Sequence, residues 1–240
     1  PIITSKIEEQ INPSVQVTLS DKDFDYLDSN KKEFVKTVLP IIINENQNIL
    51  MIRSFVSELK GKLETFRTLN NNEIRKLNEI AKKYNIKYDN KHKLDLIYEI
   101  LSNVDVIPNS IVLAQAAIES GWGKSRFAKE YNALFGEYTY DDSEGVIPLE
   151  RENGDTHLIR AFSSYSNSVE SYFNNINSHY AYEDFRDIRN IMRKRNNFSN
   201  VNLLVNKLST YAEDENYIKT IRQVIKTNNF GIFDQKTISY

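Results

Sequence analysis

The chain has 240 residues, of which 40% are hydrophobic, enough for one large domain or one domain with a substantial extension. Its 31 Lys and Arg residues nearly balance its 33 Asp and Glu residues, so the net charge of −2 offers no electrostatic argument for nucleic-acid binding. The absence of cysteine excludes disulfides, thiolate metal sites and a cysteine nucleophile.

The first 104 residues predict a lead-in followed by a helical extension. Residues 1–20 mix Pro, Ser and Gln with isolated Val or Ile, which predicts a poorly ordered lead-in. Between residues 21 and 104, apolar residues recur at helical spacing in four segments, and Pro40 is expected to kink or divide the first. The other three segments cover residues 48–66, 72–84 and 91–101. Because each segment has one apolar face, we expect the extension to pack against another part of the molecule.

A helix, a small β lobe and further helices are predicted after residue 105. Pro108-Asn109-Ser110 begins a helix that ends at Gly121, and a short helical turn follows over residues 125–131. The helical spacing of apolar residues then ends, and the segments between residues 137 and 162, which are separated by turns, predict two or three short strands. Later helical segments cover residues 164–179, 181–194, 201–211 and 216–226. The sequence therefore predicts a mostly helical α+β protein with a small antiparallel β lobe.

Glu119 is the strongest candidate for a catalytic residue. It lies in the last turn of the helix that ends at Gly121, where the negative end of the helix dipole raises the pKa of a carboxyl group. The apolar residues around it predict partial burial, which raises the pKa further and suits a general acid. The alternative is a solvated glutamate at a helix end. The glycines on either side of Trp122 weaken this alternative, because they allow a tight turn that packs Trp122 behind Glu119.

A glycoside hydrolase that uses only protein groups needs a second carboxylate, and the β lobe offers several. They are Glu137, Asp141, Asp142, Glu144, Glu150 and Glu152. Glu150 lies at a predicted strand end and could reach across a cleft toward Glu119, whereas Glu137 would lie closer to the floor of the cleft. Either could equally be a solvated strand residue, and the acids in the turns are typical of exposed loops.

Other chemistries have weaker support in the sequence. No two of the three histidines have metal-ligand spacing, and no nucleophile elbow supports a serine hydrolase, so we expect no metal and no cofactor. Five cations lie near the end of one predicted helix. They are Arg186, Arg189, Arg193, Lys194 and Arg195. Such a group is most often a solvated face that complements the helix dipole, and contact with an anionic polymer is the alternative.

Several motifs surround Glu119. They are Leu113-Ala-Gln-Ala-Ala-Ile-Glu-Ser-Gly-Trp-Gly123, Ser125-Arg-Phe-Ala128, Asn132-Ala-Leu-Phe-Gly136, Ser168-Val-Glu-Ser-Tyr172 and Tyr211-Ala-Glu-Asp-Glu-Asn-Tyr217. Together they resemble the bacterial β-N-acetylglucosaminidase family, which includes the domain fused to the flagellar rod-assembly protein, and most closely its Bax-like branch. The resemblance covers about residues 30–230.

This resemblance implies a lysozyme-like catalytic domain with a cleft between the helices and the β lobe. We expect that domain to cover residues 105–230, with the N-terminal helical extension over residues 21–104 and a C-terminal tail over residues 231–240.

The resemblance also implies roles for individual side chains. Glu119 corresponds to the acid of the family, and Tyr211 corresponds to its functional tyrosine, with Tyr217 as the alternative. The β-lobe glutamate of the family is matched to Glu150. The expected substrate contacts are Gln115, Glu137, Tyr138, Tyr172 and Tyr217.

The implied function is hydrolysis of the β-1,4 bond after N-acetylglucosamine in peptidoglycan. A muramidase or lytic transglycosylase on the same fold, and an inactive wall-binding module, are the alternatives. The expected partner is a peptidoglycan glycan strand, without nucleic acid. No membrane span is expected, because no apolar stretch approaches the roughly 20 residues that cross a bilayer. We expect a monomer in the periplasm or cell envelope, or secreted from a bacterium, and a signal peptide or anchor could precede Pro1.

Overall fold

The computed structural model describes residues 19, 21–147, 158–197, 200–212 and 214–237, and most of the predicted lead-in therefore lies outside the described residues. The α-helices are α1 (Ser29–Glu64), α2 (Asn71–Lys83), α3 (Lys93–Asn103), α4 (Asn109–Glu119), α5 (Arg126–Tyr131), α6 (Tyr165–Ser178), α7 (Glu183–Lys194), α8 (Val201–Val205) and α9 (Tyr217–Thr227). Short 3-10 helices cover Asp21–Phe24, Tyr180–Tyr182 and Phe230–Thr237. The mostly helical α+β class is confirmed. In the described part of the chain, no helix is long and apolar enough to cross a membrane.

The β lobe is a three-stranded antiparallel sheet. Its strands are β1 (Tyr138–Thr139), β2 (Gly145–Val146) and β3 (Leu158–Arg160), in the order β1-β3-β2. Thr139 is opposite Leu158 in one pair, and Gly145 is opposite Arg160 in the other. A Cβ at Gly145 would lie 2.5 Å from the Cβ of Leu158, so only glycine fits there without a shift of the sheet. Residues 148–157 of the lobe lie outside the described residues.

The first two predicted helical segments form one helix, α1, of 36 residues. The prediction that Pro40 could divide this run is wrong. Pro40 lies inside α1 on its exposed side, where water can bind the backbone carbonyl that loses its N–H partner. Buried residues just before and just after Pro40 pack into the same core. They are Val38, Leu39, Ile42 and Ile43.

Helix α4 is the centre of the molecule. All of its residues from Asn109 to Ala117 are buried, and it packs against α1, α9 and the C-terminal 3-10 helix. Ile42 and Ile49 from α1 belong to the same hydrophobic core as Val112 and Leu113 from α4. A surface helix would have one apolar face, so the continuous burial explains why the sequence of α4 is apolar almost throughout.

The C-terminal 3-10 helix caps the beginning of α4. Phe230 and Phe233 are fully buried in the core. The backbone N–H and the hydroxyl of Ser110 both donate to the carboxylate of Asp234, each at 2.7 Å. These bonds satisfy a backbone donor of the first helical turn, which has no partner within the helix. Part of the predicted C-terminal tail therefore holds the helix that ends in Glu119.

Two arginines of the basic group near the end of α7 are buried, whereas Lys194 and Arg195 are exposed. Only 6% of Arg186 and none of Arg189 is exposed. Arg189 donates to the backbone carbonyls of Asn103 at 2.6 Å and Asp105 at 2.9 Å. Arg193 binds the carboxylate of Asp105, with its Nε 2.9 Å from Oδ2. The expectation of a solvated face is wrong for Arg186 and Arg189, and Arg193 is half-buried in its ion pair. Arg189 and Arg193 bind oxygen atoms of the segment between α3 and α4, whereas Arg186 donates to the backbone carbonyls of Ile176 and His179.

We expect a chain that begins at Val104 not to fold. Removing α1 would expose the apolar sides of α4 and α6 that pack against it. It would also remove Asn46, which donates to the carbonyl of Ile107 at 2.8 Å and accepts from its N–H at 3.0 Å. Circular dichroism and thermal unfolding of residues 104–240, compared with the whole chain, measure this. A fragment that unfolds cooperatively and keeps full activity would instead make residues 21–104 a spacer.

Candidate active site

Glu119 is the last residue of α4, where a turn of left-handed residues ends the helix. Gly121, Trp122 and Gly123 have φ angles of 57°, 58° and 72°. Glycine adopts such angles without strain, and the two glycines allow Trp122 to do so between them. Trp122 is half-buried, with its ring centroid 5.7 Å from that of Phe34. The turn therefore packs its tryptophan against α1 and leaves the carboxyl group of Glu119 at the helix end.

The two carboxyl oxygens of Glu119 have different surroundings. Oε1 accepts a hydrogen bond from the hydroxyl of Tyr217 at 2.7 Å. Oε2 faces Gly136, where an added Cβ would lie 3.5 Å from it. Burial raises the pKa of Glu119, and the hydrogen bond from Tyr217 opposes this rise. The direction agrees with the expectation for a general acid, and its leading cause is burial.

A chain of hydrogen bonds leads from α6 through α4 to Glu119. The hydroxyl of Tyr172 donates to Oε1 of Gln115 at 2.6 Å, and Nε2 of Gln115 donates to the hydroxyl of Tyr217 at 3.0 Å. Tyr217 in turn donates to Glu119. Gln115 and Tyr172 are fully buried. The expectation that they contact substrate is therefore corrected: their hydrogen bonds lie behind Glu119, and the ring of Tyr172 stacks on Phe135.

The two candidate tyrosines near the start of α9 have different partners. The rings of Tyr211 and Tyr217 are parallel within 3°, with centroids 5.8 Å apart. The hydroxyl of Tyr211 donates to the backbone carbonyl of Phe135 at 3.0 Å. The hydroxyl beside Glu119 thus belongs to Tyr217, the alternative of the sequence analysis, whereas Tyr211 holds the loop that carries Gly136.

Glu137, the residue after Gly136, is half-buried, and its carboxyl group points into the protein. Its Oε2 accepts from the hydroxyl of Ser171 at 2.7 Å, and Ser171 is also contacted by Nη1 of Arg160 at 3.3 Å. Its Oε1 is buried, and no residue in the described ranges donates to it. Burial raises the pKa of Glu137 to about 7, against the opposing effects of Ser171 and Arg160. The alternative of a solvated strand residue is wrong for Glu137.

Of the five remaining acids of the β lobe, Asp141, Asp142 and Glu144 are exposed, and Glu150 and Glu152 lie outside the described residues. Asp141 accepts hydrogen bonds from Ser143, as expected for a turn residue. Glu144 forms an ion pair with Arg160 at 2.9 Å. Glu150, the predicted second carboxylate, lies outside the described residues. Among the other predicted substrate contacts, Tyr138 has 66% of its surface exposed and is available at the surface of the lobe.

Sequence reasoning missed the residues that hold Glu137. Ser171 lies inside the quoted motif that ends at Tyr172, so the motif contained it but assigned it no role. Arg160 lies on β3 and has no sequence signal, because its contacts depend on how the sheet packs against α6.

Glu137 is expected to make the protein less stable as the pH rises from 4.5 to 7. The folded chain keeps the proton of Glu137 up to about pH 7, whereas the unfolded chain loses it near the ordinary pKa of 4.5. The folded state therefore binds more protons in this range, and the free energy of unfolding falls with pH, by about 2 kcal/mol from this group. Chemical denaturation of wild type and Glu137→Gln at pH 5 and pH 7.5 measures the difference. Equal pH dependence of the two proteins would contradict the prediction.

A central helix that ends in a partly buried acid beside a small β lobe defines a candidate glycoside hydrolase. The family model described as glucosaminidase, mannosyl-glycoprotein endo-β-N-acetylglucosaminidase, matches residues 94–230. Protein bax of Escherichia coli K12 is 30% identical over 213 residues, which cover 88% of this chain and 74% of that protein. The chain belongs to the glucosaminidase family, and its resemblance to the Bax-like branch is confirmed.

The FlgJ proteins match a smaller part of the chain. Peptidoglycan hydrolase FlgJ of Escherichia coli K12 is 32% identical over 93 residues, which cover 33% of this chain and 29% of FlgJ. FlgJ of Salmonella typhimurium LT2 is 31% identical over the same length. The catalytic domain of the autolysin Auto from Listeria monocytogenes aligns over 97% of this chain and 96% of that domain, with 14% identity and a TM-score of 0.48.

Proposed function

We propose that the protein hydrolyses peptidoglycan by cleaving the β-1,4 bond after N-acetylglucosamine, with Glu119 as the general acid. The observation that best supports this is the position of Glu119 at the end of a buried helix, with one oxygen bonded by Tyr217 and the other beside Gly136. Membership of the glucosaminidase family supports the sugar, and the name of the relative FlgJ supports the polymer.

The acid step follows from the surroundings of Glu119. Burial raises the pKa of the carboxyl group and favours its protonated form at higher pH. The proton passes to the glycosidic oxygen as the bond between that oxygen and the anomeric carbon breaks, and the bonding electron pair leaves with the oxygen. The sugar ring then carries oxocarbenium-like charge, and the carboxylate of Glu119 accepts the hydrogen bond from Tyr217.

Two routes complete the reaction. In the first, Glu150 acts as a base toward water, and the anomeric carbon is inverted if the two carboxyl groups lie roughly 6.5–9.5 Å apart. In the second, the 2-acetamido oxygen of the substrate attacks the anomeric carbon to form a cyclic oxazolinium intermediate, and a tyrosine steadies the developing charge. Water then attacks the anomeric carbon and breaks the bond to the acetamido oxygen, which releases the product. The hydroxyl of Tyr211, the tyrosine matched to the family, is bonded to the carbonyl of Phe135, whereas that of Tyr217 donates to Glu119 itself.

Peptidoglycan as substrate implies a site of action in the cell envelope or periplasm of a bacterium. The exposed ring of Tyr138 on β1 is available to stack on a sugar of the glycan strand. Within the same enzyme class, a muramidase or lytic transglycosylase would use a similar acid. A wall-binding module would have no use for a buried proton donor, so Glu119 argues against it.

Digestion of purified peptidoglycan, borohydride reduction and mass spectrometry of the products test the proposal. Cleavage after N-acetylglucosamine leaves that sugar at the new reducing end, where it is converted to its alditol. Reduced muramic acid at the new ends would identify a muramidase, and anhydromuramic ends would identify a lytic transglycosylase. Binding to sacculi without any released fragment would identify a wall-binding module and contradict the enzymatic proposal.

A further inference from the structure

The hydrogen bonds behind Glu119 have a defined direction. The contact between the hydroxyl of Tyr172 and Gln115 Oε1 is 2.6 Å, a length typical of O–H···O bonds. The contact between Gln115 Nε2 and the hydroxyl of Tyr217 is 3.0 Å, a length typical of N–H···O bonds. Reversing the amide of Gln115 would require an N–H···O bond of 2.6 Å, which is shorter than the usual range. The distances therefore favour donation from Tyr172 toward Tyr217.

This direction determines where the proton of Glu119 can lie. The oxygen of Tyr217 already accepts from Gln115, and its own proton is directed at Oε1 of Glu119, 2.7 Å away. A second proton between the same two oxygens would be repelled. A protonated Glu119 must then hold its proton on Oε2, the oxygen beside Gly136.

We propose that Gln115 and Tyr172 are positioning residues that direct the hydroxyl of Tyr217 onto Oε1 of Glu119 and so present the acid proton on Oε2. This inference rests on the proposed acid role of Glu119 and adds the atom that delivers the proton. Gly136 has no side chain to cover Oε2, where an added Cβ would lie 3.5 Å away, and we place the approach of the glycosidic oxygen on that side. Gln115 and Tyr172 act entirely through Tyr217, because both are fully buried.

The titratable groups around Glu119 come from several elements. Tyr217 on α9, Tyr211 before it, Tyr172 on α6 and Tyr182 in a 3-10 helix all interact electrostatically with Glu119. Burial raises the pKa of each of these tyrosines above the usual value of 10, so all four stay neutral near pH 7. Glu137 interacts electrostatically with Tyr172, Tyr182 and Tyr211. Because its pKa is about 7, Glu137 changes its charge near pH 7.

The test uses Gln115→Met, which keeps the length of the side chain and removes both hydrogen bonds. Without Gln115, Tyr217 is a weaker donor and can also accept from Oε1, so Glu119 should hold its proton more tightly. In a Glu137→Gln background, nuclear magnetic resonance titration of the Glu119 carboxyl carbon should show roughly three- to tenfold tighter proton binding. The kcat on peptidoglycan should fall about tenfold with KM unchanged, because a proton on Oε1 is misplaced for transfer.

Two further variants separate positioning from a loss of stability. Tyr172→Phe keeps the ring on Phe135 and removes only the terminal donor, so it should shift the same titration in the same direction by a smaller factor. It also provides the test if Gln115→Met does not fold. Ile176→Val removes a buried methyl group from α6, the same helix, and should lower stability without moving the titration of Glu119.

The titration and the activity distinguish two kinds of failure. Unchanged titration of Glu119 in folded Gln115→Met or Tyr172→Phe, or an equal change in Ile176→Val, would overturn the positioning role. Because the titration needs no substrate, it decides that role even if the wild-type protein releases no fragment from peptidoglycan. Failure of wild-type cleavage would overturn the proposed function alone.

Discussion

Glu119→Gln is expected to reduce peptidoglycan hydrolysis by about a thousandfold, within the range that general acid catalysis contributes. Glutamine has nearly the same shape as glutamate, and its Oε1 can still accept the hydroxyl of Tyr217. It has no acidic proton, so the leaving oxygen would have to depart without protonation. Loss of activity with unchanged fold is therefore the expected result. The rate of fragment release, measured by mass spectrometry of reduced products, checks it.

The controls for Glu119→Gln distinguish chemistry from folding and binding. Thermal unfolding and sedimentation with sacculi should be close to wild type, because Glu119 lies at a helix end and its shape is kept. Glu64→Gln is the matched surface variant: this glutamate lies at the end of α1, and its side chain is 45% exposed. It should keep activity within about twofold. A Glu119→Gln protein with wild-type rates would remove Glu119 from the acid role.

The helix that carries Glu119 was predictable because local signals agree along it. Pro108 precedes an apolar run that ends in a glycine, and the structure places the helix at Asn109–Glu119. The continuity of α1 was less predictable, since proline normally interrupts a helix. What decides the outcome at Pro40 is which side of the helix faces water, and this depends on the packing of distant segments.

The charged residues of α7 show a second limit of sequence reasoning. Clustered arginines at a helix end are usually solvated, but Arg189 is fully buried here. Its partners are backbone carbonyls of the irregular segment between α3 and α4, including those of Asn103 and Asp105. A sequence does not reveal which carbonyls of a loop lack a partner, so the burial of these cations could not be predicted.

The sequence predicted which residues lie in the candidate site better than it predicted what each of them does. Motifs placed Gln115 and Tyr172 near Glu119, and both belong to the hydrogen bonds that lead to it. Their roles depend on burial: Gln115 and Tyr172 are fully buried and form hydrogen bonds behind Glu119. The choice between Tyr211 and Tyr217 likewise depends on which hydroxyl points at the acid, and only the three-dimensional arrangement decides that.

Asp105→Asn is expected to lower the free energy of unfolding by about 3–5 kcal/mol, the usual cost of removing one partner of a buried ion pair. The carboxylate of Asp105 is fully buried. It lies 3.4 Å from Nε of Arg53 on α1 and 2.5 Å from Nη2 of Arg193 on α7. Burial alone would raise its pKa, but the hydrogen bond from Arg193 and the charges of the surrounding arginines lower it overall. Asparagine would leave these half-buried cations without a counter-charge.

The ion-pair cluster of Asp105, Arg53 and Arg193 also links this loss of stability to α4, the helix that carries Glu119. Asp105 lies in the segment that enters α4, and its arginine partners tie that segment to α1 and α7. Urea unfolding at pH 7 measures the change, with Asp184→Asn as the matched control. The ion pair of Asp184 with Lys207 is solvent-exposed, so this control should cost less than about 1 kcal/mol. The pKa of Asp105 is lower in the folded chain than in the unfolded chain, so its ionised carboxylate stabilises the fold at any pH above the unfolded value. This stabilisation should disappear as the pH falls through the pKa of Asp105 in the folded chain. If Asp105→Asn and Asp184→Asn lowered the free energy of unfolding by equal, small amounts, the arginines would have found other partners. The cluster would then not hold α4 in place.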